Sequence, residues 1–129
     1  MTRSPTIAIV DDDDGVRTSL SSLVRSLGYD VRTYRSAVDF LADSAAKDPD
    51  CMITDVQMAP MAGDQLQATL VAAGRRFPMI FMTAFPTDAM RRRVIAAGAC
   101  AYLDKPVEAD AIAQCLAAAL AGGRPDADA

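Results

Sequence analysis

The strongest constraint on the fold of this chain is a repeated pairing: a short apolar run that stops on a polar group, then a stretch with helical periodicity. The clearest run is Cys51-Met52-Ile53-Thr54-Asp55, which ends abruptly on a carboxylate. Ile7-Ala8-Ile9-Val10 ends on Asp11-Asp12-Asp13-Asp14, Met79-Ile80-Phe81-Met82 ends on Thr83, and Ala99-Cys100-Ala101-Tyr102-Leu103 leads into Asp104-Lys105-Pro106. Short continuous apolar runs of this kind read as strands buried on both faces, the habit of parallel sheets. Open parallel α/β sheets bind ligands outside the carboxyl ends of their strands. The polar groups that finish the runs are therefore expected on one rim, with Asp55 as the candidate for the chemistry.

Between the runs lie helical patterns. Val16, Leu20, Leu23 and Leu27 form an amphipathic stripe, with Gly28 placed to end it. Tyr29 to Tyr34 alternates polar with bulky residues, which predicts a more exposed strand at a sheet edge. Ser36-Ala37-Val38-Asp39 has the capping-box form and opens a second helix through Val38, Phe40 and Leu41. Leu66, Leu70 and Ala73 predict a third, ending near Gly74. Pro86-Thr87-Asp88 starts a fourth, with Met90, Val94 and Ile95 inward and Arg91, Arg92 and Arg93 outward. Val107, Ile112, Leu116 and Leu120 mark the last, after Pro106. Five strand-helix units in strict alternation predict an α/β fold, a doubly wound parallel sheet covered by helices on both faces.

Composition narrows the function. With 129 residues, 51% hydrophobic and 23% charged, the chain reads as one globular domain with its own core. A net charge of -4, with no basic face interleaved with aromatics, argues against direct nucleic-acid binding. The absence of histidine excludes histidine metal sites and His-based triads. Cys51, Cys100 and Cys115 read as small buried hydrophobes in a reducing compartment. No apolar segment is long enough for a signal peptide or a membrane span, so a cytoplasmic location and no membrane partner are expected. Residues 1–122 are expected to form the domain, with 123–129 a flexible C-terminal tail or a truncated linker.

Carboxylates gathered within a few ångströms repel one another, which raises at least one pKa unless a cation neutralises them. An oxygen-only ligand set suits Mg²⁺ or Mn²⁺. Such a cation beside an ionised Asp55 and the Lys105 ammonium makes a positive pocket for phosphoryl oxygens, with Asp55 as in-line nucleophile. Plainer readings stand beside this one. Asp55 and Thr83 could be simple strand-end groups, Asp11 and Asp12 solvated loop charges, and Tyr102 a core aromatic. Lys105 could bridge to Asp104 or Glu108, and the arginines could be a solvated helix face.

Taken in order, these residues resemble the receiver domains of two-component response regulators, the flavodoxin-like or CheY-like (βα)5 fold, most of all those of FixJ-type regulators. The resemblance runs from Ile7 to about Leu120. Asp11 and Asp12 match the acidic pair, Thr54-Asp55 the phospho-acceptor, and Met58 and Gly63 the loop that follows. Thr83-Ala84 matches the hydroxyl and small residue after the fourth strand, Lys105-Pro106 the lysine, and Tyr102 the switch aromatic.

The resemblance implies a strand order of 2-1-3-4-5. It implies Mg²⁺ on Asp12, Asp55 and the Gln57 carbonyl, with Asp11 acting through water. Lys105 would pair with Asp55, and then with the phosphoryl group, alongside Thr83 and the Ala84 amide. A sensor histidine kinase or phosphotransfer protein would supply the phosphoryl group. Thr83 and Tyr102 would then reshape the surface of the fourth helix, fifth strand and fifth helix, for downstream signalling or transcription control and with a phosphorylation-dependent homodimer as one outcome. The domain would catalyse its own slow dephosphorylation, so it is a phospho-acceptor more than a conventional enzyme. The Lys105-Pro106 bond is expected to be cis.

Two departures and two rivals accompany this reading. Met58-Ala59-Pro60-Met61-Ala62-Gly63 displaces the proline of the usual Met-Pro loop by one residue, and Phe85-Pro86 stands where a flexible polar loop is common. Asp14 is expected as a cap or first-turn residue of the first helix. One rival is a phosphorylation-independent pseudo-receiver, an interaction module. The other is an aspartate-nucleophile phosphatase of the haloacid-dehalogenase type using Asp11-x-Asp13, which needs a longer chain and Thr or Val where Gly15 stands.

Overall fold

A computed structural model describes residues 4–43 and 47–121; the expected tail at 123–129 lies outside them. Its elements alternate as β1 (Thr6–Val10), α1 (Asp14–Ser26), β2 (Asp30–Tyr34), α2 (Ala37–Ala42), β3 (Cys51–Asp55), α3 (Gly63–Ala72), β4 (Met79–Thr83), α4 (Asp88–Ala96), β5 (Ala101–Asp104) and α5 (Ala109–Ala121). The strands form one five-stranded sheet in the order β2-β1-β3-β4-β5, and every pairing is parallel. Both the alternation and the order are as expected. No helix among the described residues is long and apolar enough to cross a membrane.

Successive side chains of a strand point to opposite faces, so the central strands feed two cores. Ala8, Val10, Met52 and Phe81 meet Phe40 of α2, Leu66 and Leu70 of α3 and Val94 of α4. Ile7, Ile9, Ile53, Ile80 and Met82 meet Leu20 and Val24 of α1 and Ile112 and Leu116 of α5. All residues of β3 and β4 are buried, which explains their unbroken apolar sequence, whereas the edge strand β2 keeps none of its residues fully buried.

Local capping follows residue chemistry. Asp13, Ser36 and Thr87 are N-caps whose side-chain oxygens accept from the N–H groups of Val16, Asp39 and Met90. The α1 cap is thus Asp13, while Asp14 sits in the first turn beside the positive end of the helix. Gly28 follows α1 at φ 98°, a left-handed conformation in which a Cβ would be strained.

Several inward assignments are corrected. Val38 and Ile95 are each 44% exposed. The inward rows of these short helices are Ala37 with Phe40, and Met90 with Val94, and the next residue along turns about 100° away. Leu27 is the exposed C-cap of α1 and Val24 takes the expected buried place, while Ala73 is likewise an exposed cap of α3. The fifth strand begins at Ala101, so Cys100 precedes it and is exposed rather than buried.

Gly63 opens α3 where the chain doubles back on β3. Its N–H donates to the Val56 carbonyl at 2.9 Å, and a Cβ built there would lie 2.2 Å from the Asp55 carbonyl oxygen. Gly63→Ala therefore forces backbone apart and is expected to destabilise by about 1–3 kcal/mol in urea unfolding. Gly15→Ala, whose Cβ meets only the Asp13 carboxylate at 3.2 Å, is expected to change stability by less than about 1 kcal/mol. Equal behaviour of the two variants would contradict this account of the β3-α3 turn.

Candidate functional site

Strand register assembles the site. Val10 pairs with Thr54, so Asp11 and Asp55 are adjacent as the chains leave β1 and β3. Asp55 pairs with Met82 and Thr83 with Asp104, which sets Thr83 and Lys105 on the same rim. The ladder continues past the strand ends. Asp11 N–H donates to the Tyr34 carbonyl at 3.1 Å, Val56 N–H to Met82 at 2.9 Å, and Lys105 N–H to Thr83 at 2.8 Å. The groups that finish the apolar runs are thus held by sheet backbone, not by free loops.

Lys105 Nζ lies 2.9 Å from Asp11 Oδ2 and 3.2 Å from Asp55 Oδ2. It pairs with these two acids, not with Asp104 or Glu108. Asp11 is 0% and Asp55 5% exposed, so both carboxylates have left bulk water. Burial pushes the Asp55 pKa up, Asp11 pushes it further, and the Lys105 ammonium only partly opposes them. Burial works to lower the Lys105 pKa, but its hydrogen bond to Asp11 and the charges of both acids leave it raised, so the amine stays protonated. Asp11 Oδ1 also accepts from Asp13 N–H at 2.9 Å, and its carbonyl accepts from Arg17 at 2.7 Å.

Exposed Asp12 completes the cluster. One carboxylate oxygen each from Asp11, Asp12 and Asp55 lie within 4.8 Å of one another. Two buried acids and one open to water, all hard oxygen donors, fit a small divalent cation of the Mg²⁺ kind. A single ammonium leaves excess negative charge among them.

The other side of the rim is built from hydroxyl and amide groups. Thr83 is fully buried; its Oγ1 donates to Gln57 Oε1 at 2.6 Å and accepts from Phe85 N–H at 2.9 Å. Gln57 N–H in turn donates to Asp55 Oδ1 at 3.3 Å. Ala84 and Phe85 follow Thr83 at the surface, Phe85 with 71% exposure. Half-buried Tyr102 pairs with Phe81 across the sheet, and its hydroxyl accepts from Thr87 N–H at 3.2 Å. The Lys105-Pro106 bond is cis as expected, and Ala59-Pro60 in the loop with the displaced proline is also cis.

Asp11, Asp12, Asp55, Gln57, Thr83, Ala84 and Lys105 thus lie on or beside the rim at the carboxyl ends of β1, β3, β4 and β5, while Tyr102 lies within β5. Two contributions were missed. The resemblance gives Gln57 a carbonyl role only, whereas its side chain holds Thr83; Arg17 supports the Asp11 backbone from α1. Neither follows from strand-end patterning. An arginine one turn into a helix after an acidic cluster is a signal only once that helix is known to lean over the rim.

Comparison with known proteins agrees with this geometry. The response regulator receiver domain family matches residues 7–117. The transcriptional regulatory protein TdiR of Thauera aromatica is 37% identical over 123 residues, 95% of this chain and 54% of that protein. The transcriptional regulatory protein FixJ of Azorhizobium caulinodans is 34% identical, over 93% of this chain and 57% of its own. The chain spans about half the length of these curated relatives. Among solved structures, FixJ-N superposes with a TM-score of 0.83 at 29% identity, covering 93% of this chain and 96% of that one. The response regulator StyR gives 0.85 at 35% identity, covering 94% and 61%. The buried acids, the lysine between them and the (βα)5 sheet that aligns them are those of a member of the response regulator receiver domain family, to which this chain belongs.

Proposed function

We propose that this domain accepts a phosphoryl group on Asp55 from a phosphohistidine of a sensor histidine kinase or phosphotransfer protein, in a reaction that needs Mg²⁺ or Mn²⁺. The observation that carries the reading is the shared pocket of Asp11, Asp12, Asp55 and Lys105. Asp12, Asp55 and the Gln57 carbonyl would hold the cation, with Asp11 behind them through water. The cation would supply neutralisation of the carboxylates and of the phosphoryl oxygens as charge develops.

The protein residues do the rest. Asp55 Oδ attacks phosphorus in line as the bond to the donor nitrogen breaks, giving an acyl phosphate and a free imidazole. Lys105 exchanges its ion pair with Asp55 for one with the phosphoryl group, held on course by Asp11. Thr83 and the Ala84 amide receive phosphoryl oxygens. Movement of Thr83, with Tyr102, biases the α4-β5-α5 surface between two arrangements. Hydrolysis of the acyl phosphate at the same site resets it slowly.

A phosphatase using Asp11 as nucleophile finds no support, because Asp11 is fully buried against Lys105 and Asp13 is occupied capping α1. Control of transcription as the output is proposed on the likeness to TdiR and FixJ. A phosphorylation-dependent homodimer through the switch face of the domain of residues 1–122 is proposed as one outcome of that change of surface.

A small-molecule phosphodonor with Mg²⁺ is expected to add one phosphoryl group to the wild type by intact-mass measurement, and none to Asp55→Asn. Equal labelling of the two would sink the reading.

The electrostatics add two expectations. Because the folded-state pKa of Asp55 is raised, the folded state holds its proton longer than the unfolded chain. Stability is therefore lost as pH rises from the ordinary value of about 3.9 through the raised one. Without divalent cations, Asp55→Asn is expected to be more stable than wild type at pH 7 by about 0.5–2 kcal/mol, the gap closing below pH ~4. A gap that widens on acidification would contradict this.

Cation binding needs Asp55 ionised. The Mg²⁺-induced rise in Tm is therefore expected to fade as pH drops through the raised Asp55 range, earlier than an ordinary carboxylate would dictate. A rise that persists unchanged to pH ~4 would place the cation elsewhere.

A further inference from the structure

The Thr83 hydroxyl has one proton, and it is already given away. A hydroxyl donates once. Here it donates to Gln57 Oε1 at 2.6 Å, while its lone pair accepts from Phe85 N–H. Any acceptor that is to receive a hydrogen bond from Thr83 must first displace the Gln57 carboxamide. We propose that the Gln57 side chain is a positioning residue that latches Thr83 in the unphosphorylated state, competing with the phosphoryl group for the single Thr83 proton. The proposal rests on the phospho-acceptor reading of Asp55.

Three features make the latch able to open. Gln57 is exposed, so its released carboxamide is taken up by water at little penalty, unlike a buried amide left without a partner. The competitor is stronger: a charged phosphoryl oxygen accepts roughly twice as strongly as a neutral amide oxygen. The latch residue is also tied to the acceptor, because Gln57 N–H donates to Asp55 Oδ1 at 3.3 Å. A change at Asp55 therefore reaches the Thr83 hydroxyl through one residue. Phe85 shares the consequence, since its N–H follows Thr83 Oγ1.

The test uses beryllofluoride, a phosphoryl mimic that binds the acceptor carboxylate, at saturating Mg²⁺ and followed by calorimetry. Gln57→Leu removes the acceptor and keeps the backbone carbonyl. It is expected to tighten beryllofluoride binding about threefold to tenfold, the worth of one net hydrogen bond. Mg²⁺ affinity is measured beside it without the mimic, and a tightening there by the same factor overturns the latch, because the effect then lies at the cation and not at the Thr83 proton. The Phe85 amide resonance of Gln57→Leu, without beryllofluoride, moves toward its position in the beryllofluoride-bound wild type.

A double-mutant cycle assigns the effect. On a Thr83→Ala background, where there is no proton to contest, Gln57→Leu is expected to leave beryllofluoride affinity unchanged. Equal tightening with and without the Thr83 hydroxyl overturns the latch, as does unchanged affinity in Gln57→Leu beside a wild type that binds the mimic. A wild type that does not bind beryllofluoride, or an Asp55→Asn variant that binds it equally, overturns the phospho-acceptor reading and the latch with it.

Discussion

The Lys105 ammonium, set between two carboxylates that have left water, is the interaction on which the rim depends. A buried acid is expensive when ionised, and two side by side are more so. Lys105 brings its charge within 2.9 Å of Asp11 and 3.2 Å of Asp55, yet the Asp55 pKa remains raised. Compensation is therefore partial. Exposed Asp12 brings a third carboxylate to the same cluster. The site is under-neutralised in a way that further positive charge relieves, and a stable core sets how close the acids must stay.

That core explains why the acids cannot drift apart. Asp11 and Asp55 are continuous with β1 and β3, whose residues are locked in register between two apolar layers. Separating the carboxylates would mean breaking ladder hydrogen bonds or slipping a strand, and a slip by one residue would turn a whole apolar set to the wrong face. Gly63 tightens the arrangement from the other side, its missing Cβ letting α3 begin against the Asp55 carbonyl. The repulsion at the rim is thus borne by burial elsewhere, with the destabilised groups concentrated at the site.

Much of this was legible in the sequence because apolar runs and their polar terminators report directly on sheet position. The ten elements, the edge position of β2 and the gathering of Asp11, Asp12, Asp55, Thr83 and Lys105 all follow from that pattern. Side-chain direction on the short helices was not legible. Val38 and Ile95 are apolar residues next to inward ones, and a six- or nine-residue helix has too few turns for periodicity to tell the rows apart. Cys100 was read as buried because an apolar run has no mark for where pairing starts. The Gln57-Thr83 bond joins residues 26 apart, and a polar side chain in a loop carries no sign of its partner.

The two sides of the rim differ in how readily they can change. The β1 and β3 side is a set of charges fixed by register, and its only adjustment is in what neutralises them. On the β4 and β5 side, apart from the Lys105 ion pairs, the segment beyond β4 is held by single neutral hydrogen bonds: Thr83 to Gln57, Phe85 to Thr83, Thr87 to Tyr102. Each is worth about 1 kcal/mol net; exposed Gln57 and Thr87 find water when released, and the buried Thr83 hydroxyl stays satisfied where a new acceptor replaces Gln57. Charge added at Asp55 therefore meets a stiff wall on one side and a compliant one on the other. Strain from a bulky anion would be expressed through β4, along the segment from Thr83 to Thr87 that leads into α4. On the proposed reading, this mechanical asymmetry makes α4 and β5, and not the acidic loops, the place where a chemical event on the rim becomes a change of surface.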